Sequence, residues 1–179
     1  MKKLLLVLLV AVFSLTQLIA QESTFTKGDK VVNLGIGFGS TYYNAFYTSH
    51  TPALSVSFEA NVKDGILDKG SIGVGGYLGY SSASYSGYWK TTNIVIGARG
   101  SFHYPLVNKL DTYTGLLLGY NIYSFKYDSG YTLGNTGTSS GLLLAWFAGA
   151  RYYFTDKFGV MAEIGYGISY LTIGVNLKF

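Results

Sequence analysis

The chain contains no cysteine, so neither disulfides nor thiolate metal sites are open to it. Proline occurs twice in 179 residues, and charged residues make up 12% of the chain, about half the usual share. Low charge together with 17% aromatics excludes a disordered chain, which would be polar and poor in rings. No basic cluster is present, which leaves nucleic-acid binding without support. His50 and His103 are the only histidines, too few and too far apart to ligate a metal, so no metal or cofactor is expected. Long hydrophobic runs are absent after the first twenty residues. The most apolar later stretch, GLLLAWFAGA, is too short for a helical span and is followed by Arg151.

What is present begins with an export signature. Lys2 and Lys3 precede LLLVLLVAVF, and SLTQLIA then leads to the small Ala20. The apolar core is short for a transmembrane helix, and polar residues interrupt it from Ser14 to Gln17. Residues 1–20 are therefore expected to be a cleaved signal peptide, with 21–179 forming one domain without a linker. Loss of Lys2 and Lys3 lowers the formal net charge from +4 to +2. An exported, apolar chain without a helical span leaves two architectures. One is a soluble barrel with an apolar interior; the other is a membrane barrel with an apolar exterior.

After a short polar lead, residues 21–29, eight alternating segments follow, near 30–40, 53–62, 70–81, 91–104, 111–125, 141–154, 158–168 and 170–179. Each is long enough to cross a bilayer as a tilted strand. Sorting by parity separates two faces. One is apolar, as in Val32, Leu34, Ile36 and Phe38, or Leu144, Trp146, Ala148, Ala150 and Tyr152. The other is rich in Gly, Ser and Asn, as in Asn33, Gly35, Gly37 and Gly39, or Ser71, Gly73, Gly75 and Gly79.

Glycine weakens a solvated strand and packs nothing there. It suits a cramped interior, where small residues leave room for a few large polar ones, and eight strands enclose a space that side chains just fill. The apolar face is thus expected to lie in lipid. The charges agree: Glu59, Arg99, Arg151, Glu163 and Lys178 all share the inward parity. A Lys or Arg at the midplane of the lipid face would cost about 2–4 kcal/mol. Unpaired backbone groups in hydrocarbon are costly too, so the last strand must pair with the first. The fold class is therefore an all-β, eight-stranded antiparallel up-and-down transmembrane barrel.

The chain ends LTIGVNLKF. With eight strands, an export signal and this ending, it resembles the small outer-membrane β-barrels of Gram-negative bacteria, the OmpA/OmpX-like group. The resemblance covers the whole mature chain as architecture. Its most specific part is a C-terminal pattern of polar, glycine, apolar and aromatic residues, matched by Thr172, Gly174, Leu177 and Phe179. The resemblance implies an outer-membrane location and recognition of this strand by the barrel-assembly machinery. It implies no particular activity.

An even strand number places both termini in the periplasm in this class. VKDGILDKG, PLVNKLD and TDKFG are then periplasmic turns, with the expected turn residues. The outer connections fall near 41–52, 81–90, 126–140 and 167–170, and three of them are rich in Tyr, Ser, Gly and Asn. These tyrosines read either as a girdle at headgroup level or as a recognition surface for an extracellular ligand. Phe102, Tyr104, Tyr152, Phe154 and Phe179 would form the lower girdle.

Candidate chemistry is sparse. Ser101 and His103 share a face, and lipid-modifying barrels use such a pair with an acidic partner. The expected strand pairing places no carboxylate beside them. Arg151 and Glu163 flank the TDKF turn and are expected to lie nearly opposite each other. With Glu59, Arg99 and Lys178 they would fill the lumen as a structural charge network. The expected protein is a non-enzymatic outer-membrane barrel with a structural or surface-interaction role and a lumen filled by polar side chains. A narrow porin-like channel is the alternative, and a lipid-modifying enzyme a third reading. Its expected partners are outer-membrane lipid, the assembly machinery during biogenesis, and a ligand at the outer loops.

Overall fold

The computed structural model describes residues 23–42, 49–85, 88–127 and 137–179, with only the backbone at Ser40, Ser49 and His50. The expected signal peptide, 1–20, lies outside the described residues, as do the loop stretches 43–48, 86–87 and 128–136. Eight strands follow one another: β1 (Lys30–Ser40), β2 (Ser49–Ile66), β3 (Gly70–Tyr85), β4 (Trp89–Val107), β5 (Leu110–Tyr127), β6 (Gly137–Tyr153), β7 (Phe158–Gly165) and β8 (Ser169–Lys178). Each pairs antiparallel with its neighbours, and β1 pairs with β8 to close the barrel.

The closing seam runs from Val31↔Lys178 through Gly35↔Gly174 to Ser40↔Ser169. Beyond it, Phe179 and Lys30 exchange both backbone hydrogen bonds at 2.9 Å. Gly174 is required here, since a Cβ would collide with the Leu34 carbonyl oxygen on β1. The same argument applies at Gly149 on β6. A Cβ there would sit 2.7 Å from the ring and hydroxyl of Tyr113, whose side chain fills the space the glycine leaves.

Period-two alternation sets the two surfaces, because successive Cβ atoms point to opposite faces. On β1, Val31 and Asn33 are buried, while Leu34, Ile36 and Phe38 stand about half exposed. The same holds around the barrel: Leu54 and Phe58, Leu78, Ile96, Leu116 and Leu118, Leu144, Ile164 and Ile173 all face outward. A continuous apolar exterior of this kind marks a membrane-contacting surface. It removes the soluble-barrel alternative. Among the described residues no helix is long and apolar enough to cross a membrane.

The ends of the strands differ from the sequence expectation. β2, β3, β4, β5 and β6 run further at the outer end, to Ser49, Tyr85, Trp89, Tyr127 and Gly137. The stretch near 81–90 is thus mostly a hairpin arm, paired as far as Tyr85↔Trp89. β7 is shorter than expected, ending at Gly165. β6 above Trp146 therefore has β5 on one side and no β7 partner on the other. The periplasmic turns are short. Leu67 and Asp68 take left-handed φ of 51° and 72°, and Lys109 one of 63°.

The interior is layered, which corrects the expectation of a lumen filled by polar side chains. The periplasmic half holds the buried charges described below. Above it, Val95, Leu117, Ala145, Phe147 and Ile168 form an apolar cluster with Tyr113, Ala53, Tyr42 and Tyr77. Those on strands share the inward parity of the glycines, while Ile168 enters from the connection between β7 and β8 and Tyr42 from the stretch after β1. The small neighbours leave space that rings and aliphatic groups occupy as readily as charges do.

Candidate functional site

Four strands of the periplasmic half each send polar side chains into one buried cluster. Glu59 comes from β2, Ser101 and His103 from β4, Asp111 from β5 and Arg151 from β6. All are nearly inaccessible, and Arg151 entirely so. Arg151 donates from Nη1 to Asp111 Oδ2 at 3.1 Å and from Nη2 to Glu59 Oε2. His103 bridges the same two carboxylates, with Nδ1 2.8 Å from Asp111 Oδ1 and Nε2 3.0 Å from Glu59 Oε1. Ser101 Oγ lies 3.0 Å from His103 Nε2 and also donates to Glu59 Oε1. Every charge is paired, as a buried charge must be.

A second cluster sits one layer outward. Arg99 on β4 donates to Glu163 Oε2 on β7 at 2.6 Å, and its guanidinium lies 3.8 Å from the ring centre of Phe147. Tyr113 joins the two clusters. Its hydroxyl donates to Glu163 at 3.0 Å, while Arg151 stacks on its ring at 4.5 Å.

These contacts correct two expectations. Arg151 and Glu163 are not partners: the β6–β7 register sets Arg151 opposite Met161 and Glu163 opposite Gly149. Glu163 is one inward position too far from the turn, and each charge instead reaches across the lumen. Nor is the Ser101–His103 pair without carboxylates, since Glu59 and Asp111 both contact His103. Asp111 opens the expected fifth strand inside the turn string PLVNKLD, where it reads as a turn residue although it shares the inward parity of Gly115 and Asn121. Lys178 stays outside both clusters. It sits at the periplasmic mouth, donating to Thr24 O at 2.9 Å, with Asp29 at 3.6 Å.

That mouth is closed by the polar lead, a role the sequence does not announce. Phe25 is buried and its ring lies 4.5 Å from that of His103. Its carbonyl accepts from Asn61 Nδ2 at 2.9 Å and Ser71 Oγ at 3.1 Å. Lys27 N donates to Asp64 at 2.7 Å, holding the lead against β2.

Ser101, His103 and Asp111 have the spacing of a nucleophile, a base and its orienting carboxylate. Chemistry also needs room for the reacting carbonyl beside the nucleophile. Glu59 takes that place, contacting both Ser101 Oγ and His103 Nε2. Phe25 covers the cluster from the periplasm, and the apolar layer covers it from outside. The arrangement is suited to holding four strands together.

The assembly-signal candidates all lie on or just beyond the closing strand. Thr172 faces inward with its hydroxyl 2.9 Å from that of Ser169, Gly174 sits at the seam, and Leu177 and Phe179 point outward.

Closed topology, an apolar exterior and a filled interior define the class: an eight-stranded integral outer-membrane β-barrel. Within that class the fold is that of the small OmpA/OmpX-like barrels, and solved structures agree. Ail, the attachment invasion locus protein of Yersinia pestis, in complex with the heparin analogue sucrose octasulfate, matches with a TM-score of 0.57 at 13% identity, over 86% of this chain and 100% of Ail. The N-terminal β-barrel domain of Pseudomonas aeruginosa OprF matches with a TM-score of 0.53 at 15% identity, over 86% of this chain and 98% of that domain. No protein-family model matches the chain, and no curated protein matches it either.

Proposed function

We propose that this protein is a non-enzymatic outer-membrane barrel with a structural or surface-interaction role, sealed to ions and presenting its outer loops to an extracellular ligand. Residues 1–20 are its export signal and 21–179 its barrel domain. The observation that carries the reading is the continuous filling of the interior: Phe25 at the mouth, two ion-pair clusters, then an apolar layer. A conducting pore needs a wet path, and eight strands leave little room for one. In planar bilayers the purified protein should show no unitary conductance steps. Discrete, reproducible openings would establish the porin-like alternative instead. Expression in a Gram-negative host should leave the lipid A mass spectrum unchanged. A mass shift that disappears in Ser101→Ala would establish an enzyme.

Thr172, Gly174, Leu177 and Phe179 are read as the signal by which the assembly machinery selects the closing strand. The pairing of β8 with β1 supports this, because the strand that carries the pattern is also the one that completes the ring.

A further inference from the structure

The outer part of the lipid-facing wall carries an ordered ladder across β4 and β5. Cross-strand neighbours on one face run outward as Ile96↔Tyr120, Ile94↔Ile122, Thr92↔Ser124 and Lys90↔Lys126. Tyr80 on β3 flanks the isoleucine rung, paired with Ile94. The apolar belt thus ends in two hydroxyls and then two ammonium groups set directly opposite each other.

Several observations single out that last rung. Lys90 and Lys126 are both exposed, and neither has an ion-pair or hydrogen-bond partner among the described residues. They are the only charged side chains described at the outer end; the described acidic residues lie in the lumen or toward the periplasmic side. Like charges directly opposite on adjacent strands are destabilising. Lysines commonly guard an exposed sheet edge, but Lys90 sits between paired strands, with Ser84 on β3 on one side and Lys126 on β5 on the other. The described β5–β6 pairing ends at Phe125↔Gly137, just short of Lys126, so an edge-guarding role does not explain Lys90.

The height of the rung does. Successive rungs on one face are about 6.6 Å apart along a strand, or about 5 Å in height at the usual tilt of these barrels. With the isoleucine rung at the hydrocarbon boundary, the hydroxyls lie about 5 Å above it and the lysines about 10 Å. The headgroup zone is about 5–7 Å deep on each side, so the hydroxyls lie within it and the lysine backbones just above it. Flexible lysine stems carry the ammonium groups to where the phosphates are.

We propose that Lys90 and Lys126, with the Thr92 and Ser124 hydroxyls below them, form a binding site for a phosphate-bearing lipid headgroup of the outer leaflet. One phosphate between the two ammonium groups relieves their repulsion, and the hydroxyls donate to its remaining oxygens. The site rests on the outer wall alone and is independent of the sealed-lumen reading.

The test uses the full barrel in nanodiscs of phosphatidylcholine mixed with phosphatidic acid, which carries a phosphomonoester, and native mass spectrometry of the lipid that stays bound. The wild type should retain phosphatidic acid in preference to phosphatidylcholine. K90Q/K126Q should lower that retention roughly tenfold or more, from about 1 kcal/mol per lysine near an anionic surface. K30Q/K63Q, an equal charge change at the periplasmic rim, should retain most of it. Each single variant, K90Q or K126Q, should give part of the loss, so the result does not depend on the double variant folding. No lipid preference, an equal loss in K30Q/K63Q, or displacement of the lipid by inorganic phosphate would each overturn the proposal.

Discussion

Arg151 is the most demanding residue in the molecule, a fully buried cation held by two carboxylates and stacked on a ring. Removing one partner of a buried pair strands the other charge, at about 3–5 kcal/mol. Glu59→Ala should therefore lower the unfolding free energy by roughly that amount, read from urea titration of the barrel in lipid vesicles. Glu163→Ala should cost at least as much, because it leaves Arg99 without its carboxylate partner, whereas Glu59→Ala leaves Arg151 bonded to Asp111. A clearly smaller loss in Glu163→Ala would contradict this assignment of partners. Replacing both members of the main pair, as in E59L/R151M, should recover much of the single-variant loss, because no buried cation is left short of a carboxylate and Asp111 keeps its bond to His103. Simple addition of the two single losses would show that Glu59 and Arg151 are uncoupled. Parity alone places each of these charges inside the barrel. It does not pair them, because Glu59 and Arg151 lie 92 residues apart and meet across the lumen instead of across a hairpin. Asp111 has the inward parity of Tyr113 and Gly115, but it stands at the start of its strand within a turn-like string, where a carboxylate reads as a turn residue.

Among the elements, the lead and the last strand have the least conspicuous sequences and close the barrel in two senses. Residues Ser23–Asp29 close its mouth. A single phenylalanine in a polar stretch has no period, so nothing in the sequence marks Phe25 as buried. Phe25→Ala should cost about 3–5 kcal/mol if the cavity stays open, as for other buried phenylalanines, seen as a lower urea midpoint. It should not create a conducting pore, since Phe147, Leu117 and Ile168 still fill the layer above. Conductance in this variant would show that the lead is the sole seal. β8 closes the wall. Deleting Phe179 removes its backbone exchange with Lys30 and the last position of the terminal pattern. Processed but unfolded protein should accumulate, with less of the heat-modifiable form in the outer-membrane fraction, while signal cleavage proceeds normally. Normal yields of folded barrel would remove the assembly role from this residue. The alternation of β8 is plain in the sequence, as are the centres of the other strands. Their outer ends are not, because Tyr, Ser, Gly and Thr serve equally in a loop and in a strand held only by its neighbours.

For the whole molecule, the governing quantity is depth in the bilayer. The exterior wall is apolar through its middle; on β4 and β5 it gives way to Thr92 and Ser124 and then Lys90 and Lys126 at the outer end, and on β4 to Phe102 and Tyr104 toward the periplasm. A substitution should therefore be judged by height rather than by exposure, since Leu116 and Leu106 are both about half exposed. Leu116 lies in the middle of the belt, opposite Gly100 and Trp146. Leu106 lies near the periplasmic end of β4, beyond Tyr104. Arginine at the midplane costs about 2–4 kcal/mol, falling to about 0–1 near an interface, where the side chain reaches water. Leu116→Arg should accordingly lower the unfolding free energy in vesicles by the larger amount, and Leu106→Arg by the smaller. In a detergent micelle, which deforms around a buried charge more readily than a bilayer does, the gap between the two should narrow. Equal costs in vesicles would place the hydrocarbon elsewhere on this wall. They would also displace the headgroup level assigned to Lys90 and Lys126, because both heights are counted along the paired strands β4 and β5 from the same belt.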